Sequence, residues 1–283
     1  MAGMEGKLCV ITGATSGIGL ITAERLAAKR ARLVLVGRDP ARGEAALARI
    51  KASSPRAEVS VHYADLSRFD ALRTLAAGLN ALSRIDVLIN NAGAMFWRRQ
   101  ITADGLERTF ALNHMAYFAL TALLRDKLAA SSPARIVNVA SEAHRGARLD
   151  FGDLQSARGY SGMRAYSRSK LCNILFTREL TRRLAGTAVT ANCLHPGFVN
   201  SRFGDNNSGV VGFGTRIAKQ LFAISPKLGA ETPVYLASSP AVEGKSGGYY
   251  DQCALKTPSP EAQDDRTAQR LWEESARIFG ATS

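Results

Sequence analysis

Cysteines are few in this sequence and show no pairing pattern: Cys9, Cys172, Cys193 and Cys253 have no CxxC spacing among 283 residues. That excludes a small disulfide-stapled scaffold and fits reduced thiols in a reducing compartment. The four histidines, His62, His114, His144 and His195, have no metal-ligand spacing either, so no metal is expected. Long apolar runs are also missing. The best, Met115 to Leu124, is half of the roughly 20 residues that a bilayer span needs, and it contains Thr121. Met1 to Lys7 leads straight into a strand pattern, so neither a signal peptide nor an anchor is expected and the expected location is cytoplasmic. Internal repeats and low-complexity segments are absent. The formal net charge is +13, but the basic residues are spread through helices such as Arg25 to Arg32 and Arg178 to Arg183. With no Lys/Arg block and no interleaved aromatics, nucleic acid is not an expected partner. A basic surface attracts other anions, phosphorylated cofactors among them.

What is present is the profile of one substantial core, with 46% hydrophobic and 22% charged residues. Short apolar or β-branched runs recur at Leu8 to Thr12, Leu33 to Gly37, Val59 to Ala64, Val87 to Asn90, Arg135 to Ala140 and Val189 to Leu194, each followed by a longer helical pattern. Continuous apolar strands alternating with helices predict a parallel sheet covered on both faces. The expected fold is α/β: a Rossmann-type doubly wound sheet of about seven strands, forming one domain over 1–283. Its ligand crevice lies at the carboxyl ends of the strands. Gly13, Arg38, Asp65, Asn90, Ser141 and Pro196 all follow those runs, so six strand ends point at one crevice. Residues 198–226 carry four glycines and an amphipathic stretch, Val210 to Ile224, which reads as a substrate lid. The tail, 257–283, holds a helical pattern from Thr267 to Phe279 whose Leu271, Trp272, Ala276 and Phe279 can pack back on the domain.

The first strand runs into Thr12-Gly13-Ala14-Thr15-Ser16-Gly17-Ile18-Gly19. A turn between strand and helix brings unpaired N–H groups and the positive end of a helix to a dinucleotide pyrophosphate. Gly13 permits the tight turn, Gly17 close approach and Gly19 packing of helix on sheet, while Thr15, Ser16 and Ile18 line it. The second strand ends at Gly37-Arg38-Asp39-Pro40, where an adenosine ribose is read; an acid favours NAD and an arginine the 2′-phosphate of NADP. Asp39 before Pro40 is a natural helix cap, whereas Arg38 has no such duty, so NADP is preferred over NAD. Asp65 is placed either to accept from the adenine amino group or to cap a helix starting near Ser67.

Tyr166 and Lys170, four residues apart, share a helix face. A nearby ammonium stabilises a phenolate, so Lys170 is expected to lower the Tyr166 pKa and to reach the nicotinamide ribose. Ser141 is placed to hold a substrate oxygen, and Asn113 sits in a helical pattern that does not favour asparagine. Each polar residue alone is as well explained by a cap or a surface position.

The set TGATSGIG, Asn90-Asn91-Ala92-Gly93, Asn113, Ser141, Tyr166/Lys170 and His195-Pro196-Gly197 resembles the short-chain dehydrogenase/reductase family over nearly the whole chain. Gly37-Arg38-Asp39, Ala111-Leu112-Asn113-His114 and the long insert after Pro196 resemble its retinol-dehydrogenase-like branch. The resemblance implies hydride transfer between a nicotinamide and an apolar alcohol or carbonyl compound. It implies Tyr166 as general acid/base, Lys170 as its pKa modulator and ribose ligand, Ser141 orienting the substrate and Asn113 holding a relay water. It further implies a cofactor site that includes Leu66, Asn90, Ala92, Gly93, Pro196, Gly197 and Val199, with Ser201 at the family's usual threonine position. A homodimer or homotetramer through the Asn113 and Tyr166 helices is implied too, unless the C-terminal tail covers one surface. The N-terminal anchor of membrane-bound animal members is not seen, which favours a soluble enzyme. Rival expectations are a ketoacyl reductase acting on acyl-carrier-protein thioesters, a non-catalytic NADP-binding sensor or scaffold, and a light-driven tetrapyrrole reductase.

Overall fold

The alternation of apolar strands and helices gives, in a computed structural model whose described residues are 3–197 and 226–280, one eight-stranded sheet. The elements run β1 (Leu8–Thr12), α1 (Gly17–Ala28), β2 (Arg32–Gly37), α2 (Pro40–Ser53), β3 (Val59–Tyr63), α3 (Phe69–Asn80) and β4 (Val87–Asn90). Then α4 (Arg108–Phe110) passes through a π-helical turn (Ala111–Met115) into α5 (Ala116–Leu123), followed by α6 (Arg125–Ala130), β5 (Ala134–Val139), α7 (Gly162–Arg183) and β6 (Val189–His195). The chain closes with α8 (Pro226–Gly229), α9 (Glu231–Ser238), β7 (Tyr249–Asp251), β8 (Ala254–Lys256) and α10 (Asp265–Phe279).

The strand order is β3-β2-β1-β4-β5-β6-β7-β8, parallel throughout except for the β7–β8 hairpin. The order reverses between β1 and β4, which opens the crevice at the carboxyl ends of the strands. All six apolar runs form strands. The sheet exceeds the expected seven strands because β7 and β8 are three residues each, too short to print a pattern.

Period-two alternation divides the strands between two cores. Leu8, Val10, Val34, Val36, Leu88 and Ile136 face the layer of α3, α5, α7 and α10, while Cys9, Ile11, Leu33, Leu35, Ile89 and Val137 face α1, α2 and α9. Cys9, Cys172 and Cys193 are buried and all four thiols are free.

The C-terminal helix docks as its periodicity predicts. Leu271, Ala276 and Phe279 are buried, and Trp272 stacks on Phe176 with ring centroids 5.7 Å apart. Ser275 Oγ donates to the Leu271 carbonyl (2.7 Å) and so accepts from His114 Nε2 (2.8 Å) in the π turn. Helix α10 therefore packs on α5 and α7, covering one surface of the helices through which self-association is expected. The expected lid, 198–226, lies outside the described residues apart from the start of α8. Among the described residues, no helix is long and apolar enough to cross a membrane.

Candidate active site

A cleft of about 680 Å³ runs along the carboxyl ends of β1, β2, β4, β5 and β6. It is lined by Gly13, Thr15, Ser16, Gly17, Ile18, Gly19, Arg38, Asp65, Leu66, Ala92, Gly93, Ser141, Tyr166, Lys170, Pro196 and Gly197, all expected from the sequence. Asn90 and Asn113 stand behind its wall, and Val199 and Ser201 lie outside the described residues.

The glycine turn is shaped for close approach. Gly13 has φ +66°, and a Cβ on it would lie 2.8 Å from Ala92 Cα. On Gly19 a Cβ would meet the Gly13 carbonyl oxygen at 2.4 Å and Asn91 Nδ2 at 2.6 Å, so this glycine admits Asn91 rather than the sheet as a whole. Ser16 caps α1 without a side-chain hydrogen bond, and the first turn of α1 holds no acid. Open N–H groups at the positive end of a helix fit a pyrophosphate.

Asn91 is the asparagine that clamps this turn, a role sequence reasoning missed. Its Nδ2 donates to the Thr12 carbonyl (2.8 Å), and its own N–H is accepted by Thr12 Oγ1 (2.9 Å). Asn90, expected in the adenosine-ribose wall, instead donates to Asn138 Oδ1 (2.9 Å) and Thr121 Oγ1 (3.2 Å) inside the core. Neighbours at a strand end point to opposite sides, which is why the adjacent pair divides in this way.

At the other end of the cleft Asp39 does cap α2: its Oδ1 accepts from the Arg42 N–H (3.2 Å), and its Oδ2 pairs with Arg42 Nε (3.4 Å). Arg38 is exposed and makes no ion pair or side-chain hydrogen bond among the described residues. Arg42, one helical turn on, adds a second guanidinium to the lining that the sequence reading did not single out. Asp65 accepts from both the N–H (3.1 Å) and the hydroxyl (2.7 Å) of Ser67. Burial raises its pKa, but those bonds and the Arg38 and Arg108 charges outweigh it and hold the carboxyl below its ordinary value. Helix α3 begins later than expected, at Phe69, whose N–H is accepted by Asp104 Oδ2 (2.8 Å).

The reactive groups meet where β5 ends beside α7. Ser141 follows β5 as the cap of a short 3₁₀ turn (Glu142–His144), and its hydroxyl lies near enough to the Tyr166 phenol to lower its pKa. Lys170 is 3% exposed and donates to the Val139 carbonyl at 2.9 Å, its Nζ lying 5.7 Å from the centroid of the Tyr166 ring. Burial lowers the Lys170 pKa to about 7. Burial of the Tyr166 phenol pushes its pKa up to about 12, against a lowering by the Ser141 hydroxyl. This differs from the expected depression: the ammonium lies over the ring and is bonded to a carbonyl, and desolvation dominates at the phenol.

Asn113 occupies the π turn, which accounts for its misfit in an α-helical pattern. It accepts from the Ala94 N–H and donates to the Ala94 carbonyl and to Ser169 Oγ, each at 2.9 Å. Its side chain thus holds the loop after β4; a Cβ on Gly93 would meet both Asn113 Oδ1 (3.3 Å) and Lys170 Nζ (3.4 Å).

Comparison with known proteins points the same way. Residues 7–210 match the family described as short chain dehydrogenase. The chain is 41% identical over 286 residues to human retinol dehydrogenase 13, covering 99% of this chain and 86% of that protein. It is 41% identical over 278 residues to human retinol dehydrogenase 12, covering 98% and 87%. Among solved structures, an uncharacterised protein from Mycobacterium paratuberculosis aligns with TM-score 0.80 at 31% identity, over 99% of this chain and 96% of that one. A short chain dehydrogenase from Burkholderia cenocepacia in complex with NADP aligns with TM-score 0.69 at 25% identity, over 92% and 99%. The glycine turn, the Ser141–Tyr166 hydroxyl pair and these likenesses converge: the chain belongs to the short-chain dehydrogenase/reductase family, as a retinol-dehydrogenase-like, NAD(P)-dependent oxidoreductase acting on CH–OH groups.

Proposed function

We propose that the enzyme uses NADP(H) and interconverts an apolar alcohol and its carbonyl compound, with Tyr166 as general acid/base. The observation that carries this reading is that Ser141, Tyr166 and Lys170 meet at one end of a cleft whose other end holds Arg38 and Arg42. The names of the human relatives favour a retinol-like substrate, and Phe96, Leu112 and Met163 give the reactive end an apolar lining. NADP over NAD rests on two guanidiniums where the 2′-phosphate would lie and on an Asp39 already engaged as a cap.

A bound nicotinamide dinucleotide supplies the hydride in reduction and accepts it in oxidation. Gly13 to Gly19, Arg38, Arg42 and Lys170 would hold it. In the reduction direction Tyr166 and Ser141 both donate to the substrate carbonyl oxygen. As that oxygen gains negative charge, the Tyr166 O–H bond breaks and its proton moves to the nascent alkoxide. A phenol held near 12 is fully protonated at neutral pH, which makes it an available acid. Ser141 keeps its proton and stabilises the same oxygen, a preorganised donor. Lys170, with a pKa of about 7, exchanges its proton at physiological pH, and its Nζ lies 5.7 Å from the ring centroid of the phenolate left behind. In oxidation the proton flow reverses.

The test is NADPH consumption with a panel of aldehydes and ketones from acetaldehyde to retinal. Activity that rises with apolar length supports the reading. Undetectable turnover across the panel and with the corresponding alcohols contradicts it.

A further inference from the structure

The peptide unit that joins Ser141 to Glu142 is gripped at both ends by imidazoles. His144 is wholly buried, and its Nδ1 lies 2.7 Å from the Ser141 carbonyl oxygen. That oxygen can only accept, so Nδ1 carries the proton. The Nε2 of the same ring lies 3.1 Å from the backbone N of Ser259 and must accept from that N–H. His195 grips the other side: its Nδ1 accepts from the Glu142 N–H at 3.1 Å, which puts its proton on Nε2. Both rings must therefore be neutral, and they must be opposite tautomers. The carbonyl and N–H they hold belong to one peptide plane, and fixing that plane fixes the ψ angle of Ser141, one of the torsions that aim its hydroxyl.

We infer that His144 and His195 are positioning residues for Ser141, a clamp of two neutral imidazoles of opposite tautomer that also ties the C-terminal segment, through the Ser259 N–H, to the substrate-orienting hydroxyl. The inference rests on the reading of Ser141 given above. His195 also lines the cleft, but in this role both histidines act through the Ser141–Glu142 peptide.

The clamp is sensitive to acid. A proton on His195 sets N–H against the N–H of Glu142, and one on His144 sets N–H against the N–H of Ser259. Glu142 and Asp251 face His195 and favour its protonation, while His144 and Arg145 oppose it. Around His144, Glu142 and Glu261 favour protonation, Arg145 opposes it, and the Tyr249 ring packs edge-on with centroids 5.2 Å apart. Burial outweighs the acids in both cases and holds both rings below the ordinary histidine value. The clamp is closed at neutral pH and opens as pH falls.

Two-dimensional long-range ¹H–¹⁵N spectra of the full chain at pH 7.5 read the tautomers without any turnover. The expected result is a proton on Nδ1 alone for His144 and on Nε2 alone for His195. A charged ring, or the reverse tautomer at either position, overturns the clamp. Kinetics supply the second arm. His195→Ala removes the acceptor and is expected to lower kcat about tenfold or more with the NADPH Kd unchanged, since small displacements of a reacting group are costly. His195→Asn restores an acceptor that does not titrate; it should recover most of that loss and weaken the acid limb of the kcat profile. Ser259→Pro removes the N–H at a φ of −64° that proline can adopt, and should lower kcat several-fold while loosening the His144 tautomer, whereas Ser259→Ala, which loses the hydroxyl alone, should do neither. Equal activity of His195→Ala and His195→Asn, or an unchanged acid limb in His195→Asn, overturns the proposal. Failure of the reading beneath it is visible separately: undiminished turnover in Ser141→Ala would remove the role of Ser141 whatever tautomers the spectra show.

Discussion

Lys170 gives its ammonium to the carbonyl of Val139, at 2.9 Å, and lies over the ring of Tyr166 rather than against its phenol oxygen. A buried ammonium with one carbonyl partner is a strained arrangement, and burial accordingly takes the Lys170 pKa from 10.5 to about 7.

The first prediction concerns stability. The folded pKa lies below the unfolded one, so between about pH 7 and 10.5 the unfolded chain binds the proton that the folded chain releases. Stability from this group is complete above the upper value and is lost as pH falls through the lower. Lys170→Met, which has no such proton, should therefore gain on wild type as pH falls: the difference in unfolding free energy should shift by about 3 kcal/mol between pH 9.5 and pH 7. Urea unfolding at the two pH values measures it. A difference independent of pH would mean that Lys170 remains charged in the folded chain.

A second prediction separates the two ends of the cleft. Arg38→Ala and Arg42→Ala should each weaken NADPH about 10- to 100-fold, the worth of a charge-assisted hydrogen bond, while leaving NADH within about threefold. Fluorescence titration with both cofactors reads this out. Tighter binding of NADH to the wild type would mean that Asp39 reads the ribose in spite of its bonds to Arg42.

Asn113 carries the third prediction. Replacing it by leucine strands the N–H and carbonyl of Ala94 in a buried site, at a cost of about 2–4 kcal/mol. Asn113→Asp keeps the acceptor and loses the donor, so it should fall between wild type and leucine in thermal stability. Calorimetry of the three proteins orders them; equal stability would mean that the loop after β4 is held by other contacts.

Much of this site was legible because the sheet prints itself as continuous apolar runs, and a strand end is a chemical address. Gly13, Arg38, Ser141 and Pro196 could be assigned to one crevice on that basis alone. Asp39 was legible as a cap because Asp-Pro has few other uses. What escaped depends on geometry that periodicity does not carry. Whether Asn90 or Asn91 faces the cleft is a matter of pleat parity at one strand end. Arg42 reaches the cleft because α2 starts at Pro40 and turns its first residues back to Asp39. Asn113 drew notice as a poor helix former, but nothing local announced a π turn. The two histidine grips join residues 53 and 115 positions apart, and a lone histidine in sequence gives no hint of what it holds. The expected depression of the Tyr166 pKa failed for a similar reason: spacing places Lys170 on the right face, but it does not say which acceptor the ammonium will choose.

Tyr166 as the group that gives and takes the proton is what a single substitution tests most directly. Tyr166→Phe keeps the ring under Lys170 and removes the hydroxyl beside Ser141. Steady-state turnover with NADPH and the best carbonyl substrate of the panel, set beside an NADPH binding titration, is the measurement. The predicted result is a kcat lower by about 10² to 10⁴-fold with the NADPH Kd within about threefold of wild type. A kcat within about threefold of wild type would contradict the account and assign the proton transfer to another group.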